Sequence, residues 1–288
     1  MLGGLAVGLA AVTKAQAHAL ITQPVGSHTV PDKSPADYGL PFEEASATSA
    51  DGIRLAGWYI PGKNRAVVIA QHGYKNNRGE MLDEAVMFHR HGYGVLVSSV
   101  RAHDRSGGER ISFGHEEMAD LQAWYDYLLR RTDVDSLRIG ALGHSMGGFL
   151  VIQYAALNPG IRAVVAVSAF SSLHDTVSRS VQFFTGLPSF PFAPLILFWA
   201  EREAGFRSAE IDGTRWIGRI SPRPVFLMQG GADDVISPGS GRLLYDAAGE
   251  PRELWFEPDL GHVMFADKMP AAYEKRVVGF LDRYLLGP

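Results

Sequence analysis

One serine in this chain stands in a setting suited to nucleophilic chemistry: Ser145, in Gly143-His144-Ser145-Met146-Gly147. Alone, G-x-S-x-G occurs by chance. Here an apolar run at 137–142 precedes it and a helix-forming run at 145–157 follows. Small residues on both sides allow a tight strand-to-helix turn that presents the hydroxyl at the strand end, with a helix N-terminus behind it. A serine needs a base, and the base needs an orienting carboxylate. His262 follows a strand-like segment at 253–256, and Asp233 follows another at 225–228. Asp234 is the local rival for the carboxylate role, its other reading being a turn cap or a solvated side chain. An oxyanion would need backbone donors, and the amides of Met146 and of Tyr74, in His72-Gly73-Tyr74, are the candidates.

These residues must be positioned by strands and helices, and the hydrophobic pattern supplies them. Strands are predicted at 53–60, 66–70, 93–98, 137–142, 163–167, 225–228 and 253–256. Helices are predicted at 77–91, 116–131, 145–157, 239–248 and 271–286. Alternation of this kind implies an α/β fold with a mainly parallel central sheet and helices on both faces. Residues 43–288 therefore read as one catalytic domain. Its rhythm stops between about 171 and 220, a helical cap insertion. Phe183, Phe184, Phe190, Phe192, Phe198 and Trp199 crowd that insertion, punctuated by Pro188, Pro191 and Pro194. It has two readings: a lid lining an apolar pocket, with Phe183, Phe184, Phe198 and Trp199 as pocket residues, or aromatics that only pack on the sheet.

Before residue 43 the chain differs in character. Residues 1–22 are mostly Leu, Gly, Ala and Val, and read as a secretory signal, a membrane anchor or a surface helix. Against a signal, no basic residue precedes the apolar run, although Ala15-Gln16-Ala17 has the small-x-small form of a cleavage site. Against an anchor, Lys14 lies within it. Localisation is correspondingly open between membrane-anchored, exported and cytoplasmic. Residues 23–42, with Pro24, Pro31, Pro35 and Pro41, read as a linker.

Composition closes several branches. With 288 residues and 46% hydrophobic content the chain is neither disordered nor a multi-span membrane protein. A net charge of −4 offers no basic field for nucleic acid. Zero Cys excludes disulfides, thiolate zinc sites and a cysteine nucleophile. The chain carries no clustered ligand set and no dinucleotide fingerprint, so neither metal nor cofactor is expected.

Taken together, Asp51-Gly52-x-x-Leu55-x-Gly57-Trp58-Tyr59-x-Pro61, His72-Gly73-Tyr74, Gly143–Gly148, Asp233 and Gly261-His262 resemble the bacterial serine α/β-hydrolases of the esterase, lipase and aminopeptidase-like group. The resemblance runs from about residue 38 to 286, and the order Ser, Asp, His matches that fold. Relatives often carry an N-terminal membrane anchor. The resemblance implies a serine hydrolase acting on carboxylic esters with hydrophobic groups through an acyl-enzyme. The alternatives are a peptidase or amidase on the same machinery, for which the insertion offers Glu201 and Glu203, whose other reading is an exposed helix face, and a catalytically silent lipid-surface binding protein. One departure stands out. Relatives show Asp-x-Arg-Gly-His-Gly-x-Ser where this chain has Ser99-Val100-Arg101-Ala102-His103-Asp104-Arg105-Ser106. Losing two glycines predicts a loop of altered shape, with Arg101 and His103 making structural bonds.

Overall fold

The apolar runs become the strands of a single eight-stranded sheet in the computed structural model, which describes residues 2–287, apart from the side chains of residues 2–6 and Phe184. At one edge β1 (Glu43–Thr48) and β2 (Arg54–Ile60) pair antiparallel, and β2 also pairs antiparallel with β4 (Gly94–Ser98). The remaining strands are mutually parallel: β3 (Val67–Gln71), β4 (Gly94–Ser98), β5 (Ile139–His144), β6 (Ile161–Val167), β7 (Val225–Gly230) and β8 (Arg252–Glu257). The order across the sheet is β1-β2-β4-β3-β5-β6-β7-β8. β3, β4, β5 and β7 are buried along their whole length, which is why they read as continuous apolar runs rather than alternating ones. The short β1 lacks such a signal.

In chain order the helices are α1 (Leu2–Ile21), α2 (Leu82–Arg90), α3 (Glu117–Leu129), α4 (Met146–Leu157), α5 (Leu173–Thr185), α6 (Ser189–Ala204), α7 (Gly213–Ile217), α8 (Gly239–Ala247), α9 (Phe265–Lys268) and α10 (Pro270–Leu281). One core cluster joins α3, α4, α8 and the insertion to one sheet face through residues such as Trp124, Phe149 and Leu244. The other joins α2, α9 and α10 to the opposite face through Phe88, Phe265 and Val277. This is the α/β-hydrolase layer arrangement.

The insertion forms two substantial helices, α5 and α6, despite its three prolines. Phe190 is extended (φ −100°, ψ 133°), so Pro191 falls at the first position of the regular part of α6, where a missing N–H costs least, with Pro194 one turn inside. The N-terminal run is helical and packs along α6, with Thr13, Ala17 and Ile21 buried. Ala17, the last residue of the small-x-small pattern, is therefore covered while α1 is seated. No helix among the described residues is long and apolar enough to cross a membrane. Residues 23–42 hold a short 3-10 turn at Pro35–Tyr38 and are bonded to the domain, Gln23 N–H donating to Glu109 O at 2.8 Å and Thr29 Oγ1 to Lys75 O at 3.2 Å.

Candidate active site

Parallel strands deliver their carboxyl ends to one edge of the sheet, and the candidate residues all lie there. The chain leaves β3 toward β4 on one side, while β5 continues the sheet on the other. Ligands bind in α/β sheets at such a reversal. The Gly73-Tyr74 loop follows β3 and Ser145 follows β5, so the two sit on adjacent strands.

Ser145 has φ 53° and ψ −117°, a conformation that costs a non-glycine residue about 1–3 kcal/mol and is tolerated only when the surroundings enforce it. They do so tightly. A Cβ on Gly143 would lie 2.2 Å from Gly147 O, and one on Gly147 would lie 2.3 Å from Gln71 O. Ser145 N–H donates to Val167 O at 2.8 Å, pinning the turn to the end of β6.

His262 Nδ1 lies 2.8 Å from Asp233 Oδ2. Asp233 is fully buried, and its Oδ1 accepts the amides of Val235 (2.9 Å) and Ile236 (2.8 Å). Gln229 Nε2 donates to Oδ2 at 3.2 Å. The carboxylate is thus held from three directions and aimed at the ring. Asp234 is exposed. With Nδ1 engaged, Nε2 is the ring nitrogen left to take a serine proton.

Gly73, Tyr74, Ser145, Met146 and His262 line one cavity of about 440 Å³. Met146 opens α4, so its N–H is among those a helix leaves without an internal partner. Gly73 N–H is already taken by Glu80 Oε2 at 2.8 Å, which leaves the Tyr74 amide as the next donor on the loop. His103 holds this loop: its Nδ1–H donates to Arg101 O (2.7 Å), so its Nε2 accepts Lys75 N–H (3.0 Å). His72 Nδ1–H likewise donates to Gly73 O (2.8 Å), and its Nε2 accepts from Ser99 Oγ (3.0 Å). Burial lowers the pKa of both rings, consistent with these neutral forms.

The loop whose missing glycines predict an altered shape adopts left-handed backbone at two non-glycine residues: φ is 59° at Ala102 and 53° at Asp104. A side chain in that region costs about 1–2 kcal/mol. Asp104 brings a compensation, since its carboxylate lies 2.8 Å from Nε of the buried Arg78. Arg101 is bound by Asp120 (2.8 Å), Asp51 (2.7 Å) and Glu116 (3.2 Å), beneath the site rather than in it.

The pocket aromatics are a correction. Among the described residues lining the cavity there is no Phe183, Phe198 or Trp199, and the side chain of Phe184 lies outside those described. Phe183 is 53% exposed and Phe198 44%, while Trp199 carries Lys14 5.9 Å from its ring centre. The physical reason is the orientation of α5. Leu173, Thr176, Val177, Ser180 and Val181, spaced three and four apart, form the stripe that faces the cavity. Phe183 borders that stripe but does not line the cavity. Phe113, Phe170 and Ile196 complete much of the apolar lining, with Gln16, Ala19 and Leu20 of α1.

Sequence reasoning also missed a buried ionic group behind the nucleophile. His144 lies 3.1 Å from Glu84 Oε1 and 3.5 Å from Glu80 Oε1, ion pairs rather than well-aligned hydrogen bonds. Burial opposes charge on the ring, but the two carboxylates overcome it and push the imidazole up to about 10. Tyr273 Oη donates to Glu84 Oε1 at 3.0 Å, so α10 joins the group. Nothing in the spacing of Glu80 or Glu84 singles them out. Because the folded protein binds this proton more tightly, its stabilisation is complete below the ordinary value of 6.5 and is lost as pH rises toward 10. Urea denaturation should therefore show stability falling between pH 7 and 9, by up to about 1.4 kcal/mol per pH unit from this group. His144→Gln should remove that slope.

Among the described residues no group of three or more His, Asp or Glu is arranged to hold a metal ion.

Comparison with known proteins places the chain in a family. Residues 62–210, just over half of it, match the serine aminopeptidase S33 family. The uncharacterised protein YqkD of Bacillus subtilis is 29% identical over 249 residues, covering 84% of this chain and 81% of its own. The uncharacterised protein Rv2307c of Mycobacterium tuberculosis is 30% identical over 217 residues, covering 74% and 69%. Among solved structures, the Pyrococcus furiosus esterase Pf2001 superposes with a TM-score of 0.79 at 28% identity, over 92% of this chain and 98% of that one. With its sheet, its strained serine turn and these matches, the chain belongs to the serine aminopeptidase S33 family and is a hydrolase of the α/β-hydrolase fold.

Proposed function

We propose that this protein hydrolyses carboxylic esters with a hydrophobic acyl group, using Ser145 as nucleophile, His262 as general base and acid, and Asp233 as the orienting carboxylate. The observation that carries this reading is the convergence of Ser145, the Asp233–His262 pair, Tyr74 and Met146 on one largely apolar cavity. The likeness to an esterase at 28% identity supports it.

In the reaction, Ser145 Oγ bonds to the substrate carbonyl carbon while its proton passes to His262 Nε2. Asp233 holds Nδ1–H and stabilises the imidazolium. Charge gathers on the carbonyl oxygen, where the Tyr74 and Met146 amides receive it, each donor worth about 3 kcal/mol of barrier. As the intermediate collapses, the bond to the alcohol oxygen breaks and His262 returns the proton to it. Water then attacks the acyl-enzyme, giving its proton to His262, and the carboxylic acid leaves as Ser145 regains its hydrogen.

The peptidase alternative needs a carboxylate for a charged chain terminus. Glu201 accepts Ser208 N–H at 2.8 Å, Glu203 pairs with His18, and neither lines the cavity. Glu80 does line it but is engaged by Gly73 and His144.

Assay against p-nitrophenyl esters of increasing acyl length, beside aminoacyl amides, tests the reading. Each methylene buried in an apolar pocket is worth about 0.8 kcal/mol, so kcat/KM should rise about fourfold per carbon until the pocket is full, then level off. Preference for aminoacyl amides would move the assignment to the peptidase reading, and inertness toward every substrate would favour a binding protein.

A further inference from the structure

We propose that α1 is a wall of the active site and sets acyl chain length through Gln16, Ala19 and Leu20. This rests on the ester-hydrolase reading and goes beyond it, assigning specificity to a segment that its composition marks as a signal or anchor.

The helix has two adjoining stripes with different work. Thr13, Ala17 and Ile21, four residues apart, are buried, and α1 packs along α6. Gln16, Ala19 and Leu20 occupy the neighbouring stripe and line the cavity. Facing that cavity from the insertion is the α5 stripe, which continues from Leu173 to Thr185. At 1.5 Å per residue that stripe is about 18 Å long, enough for an extended acyl chain.

Separate bonds tie α1 to the loop that carries the Tyr74 amide. Tyr74 Oη donates to Leu20 O at 2.6 Å, and Lys75 Nζ donates to Ala19 O at 2.6 Å. Helices leave their last carbonyls without internal partners, and a cation there meets the negative end of the helix dipole. These bonds therefore satisfy the end of α1 and fix its pocket-lining turn to the oxyanion loop. Just beyond, Ile111 N–H donates to Ile21 O at 2.7 Å. On the flank toward α6, His18 pairs with Glu203 and Lys14 lies over Trp199. The rotation of α1 is thereby set from both sides, so the same three residues stay turned toward the cavity.

The experiment uses the full chain and the p-nitrophenyl ester series. Ala19→Trp should lower kcat/KM for the octanoyl ester at least about tenfold more than for the acetyl ester. Leu20→Ala, which enlarges the pocket, should move the optimum to longer chains. Ala11→Trp, on the exposed side of α1, should leave the profile unchanged. Circular dichroism checks that each variant folds; should Ala19→Trp not fold, the direction of the Leu20→Ala shift decides. An unchanged optimum in the folded pocket variants would overturn the role of α1 while leaving the ester reading intact. A parent protein that hydrolyses no ester would instead remove the reading on which the role rests.

Discussion

Replacing Ser145 by Ala is expected to lower kcat toward an ester of the preferred length by about 10⁶-fold, the scale seen when the nucleophile of such a relay is removed. The fold should tolerate the change. The turn is held by main-chain contacts: Ser145 N–H to Val167 O, Gly143 against Gly147, and Gly147 against the end of β3. Ala meets the same positive φ that Ser already adopts, so no new backbone strain appears. Binding should survive as well, because the cavity walls belong to α1, α5 and α6. Steady-state kinetics with a thermal melt on the same preparation checks both halves. A melting temperature near that of the parent with turnover retained within a hundredfold would remove Ser145 from the chemistry.

The second large effect belongs to Asp233→Asn, with kcat expected to fall by about 10⁴-fold. Oδ1 accepts two amides and would do so equally from an amide oxygen, which keeps the loop in place. The remaining NH₂ would then stand where Oδ2 now faces both His262 Nδ1 and Gln229 Nε2. It donates where an acceptor is needed, so the ring takes the other tautomer and presents a protonated Nε2 to the serine. KM for a short ester should change much less than kcat. Equal loss in the neighbouring Asp234→Asn would contradict the assignment, since Asp234 is exposed.

The legibility of each residue in the sequence depends on what its local signal encodes. Ser145, Asp233 and His262 each come just after a strand, and parallel strands ending at one edge necessarily gather the residues beyond their carboxyl ends. β3 and β5 were legible because burial on both faces leaves an unbroken apolar run. β1, Glu43-Glu44-Ala45-Ser46-Ala47-Thr48, was not, because an edge strand needs only Ala45 and Ala47 inward and is polar elsewhere. Aromatic density drew attention to Phe183, Phe198 and Trp199, yet density carries no direction; the three-and-four spacing of the α5 stripe does, and the cavity runs along it. In α1 the difficulty is reversed. Its first half is apolar all round, and in the second half the buried stripe of Thr13, Ala17 and Ile21 holds two small residues beside Lys14, Gln16 and His18, so no local pattern marks it. At 99–108 the absence of glycine argues against left-handed backbone, yet Ala102 and Asp104 adopt it. Pairing Asp104 with buried Arg78 is a tertiary fact, without trace in local spacing.

The central claim is that Ser145 is an activated nucleophile, and covalent labelling tests it most directly. Incubation of the full chain with a fluorophosphonate, with intact mass and peptide mapping as the readout, should show one adduct per chain, located on Ser145, with none on Ser145→Ala and labelling greatly slowed in His262→Ala. An adduct on another residue, or labelling that persists in Ser145→Ala, would contradict it.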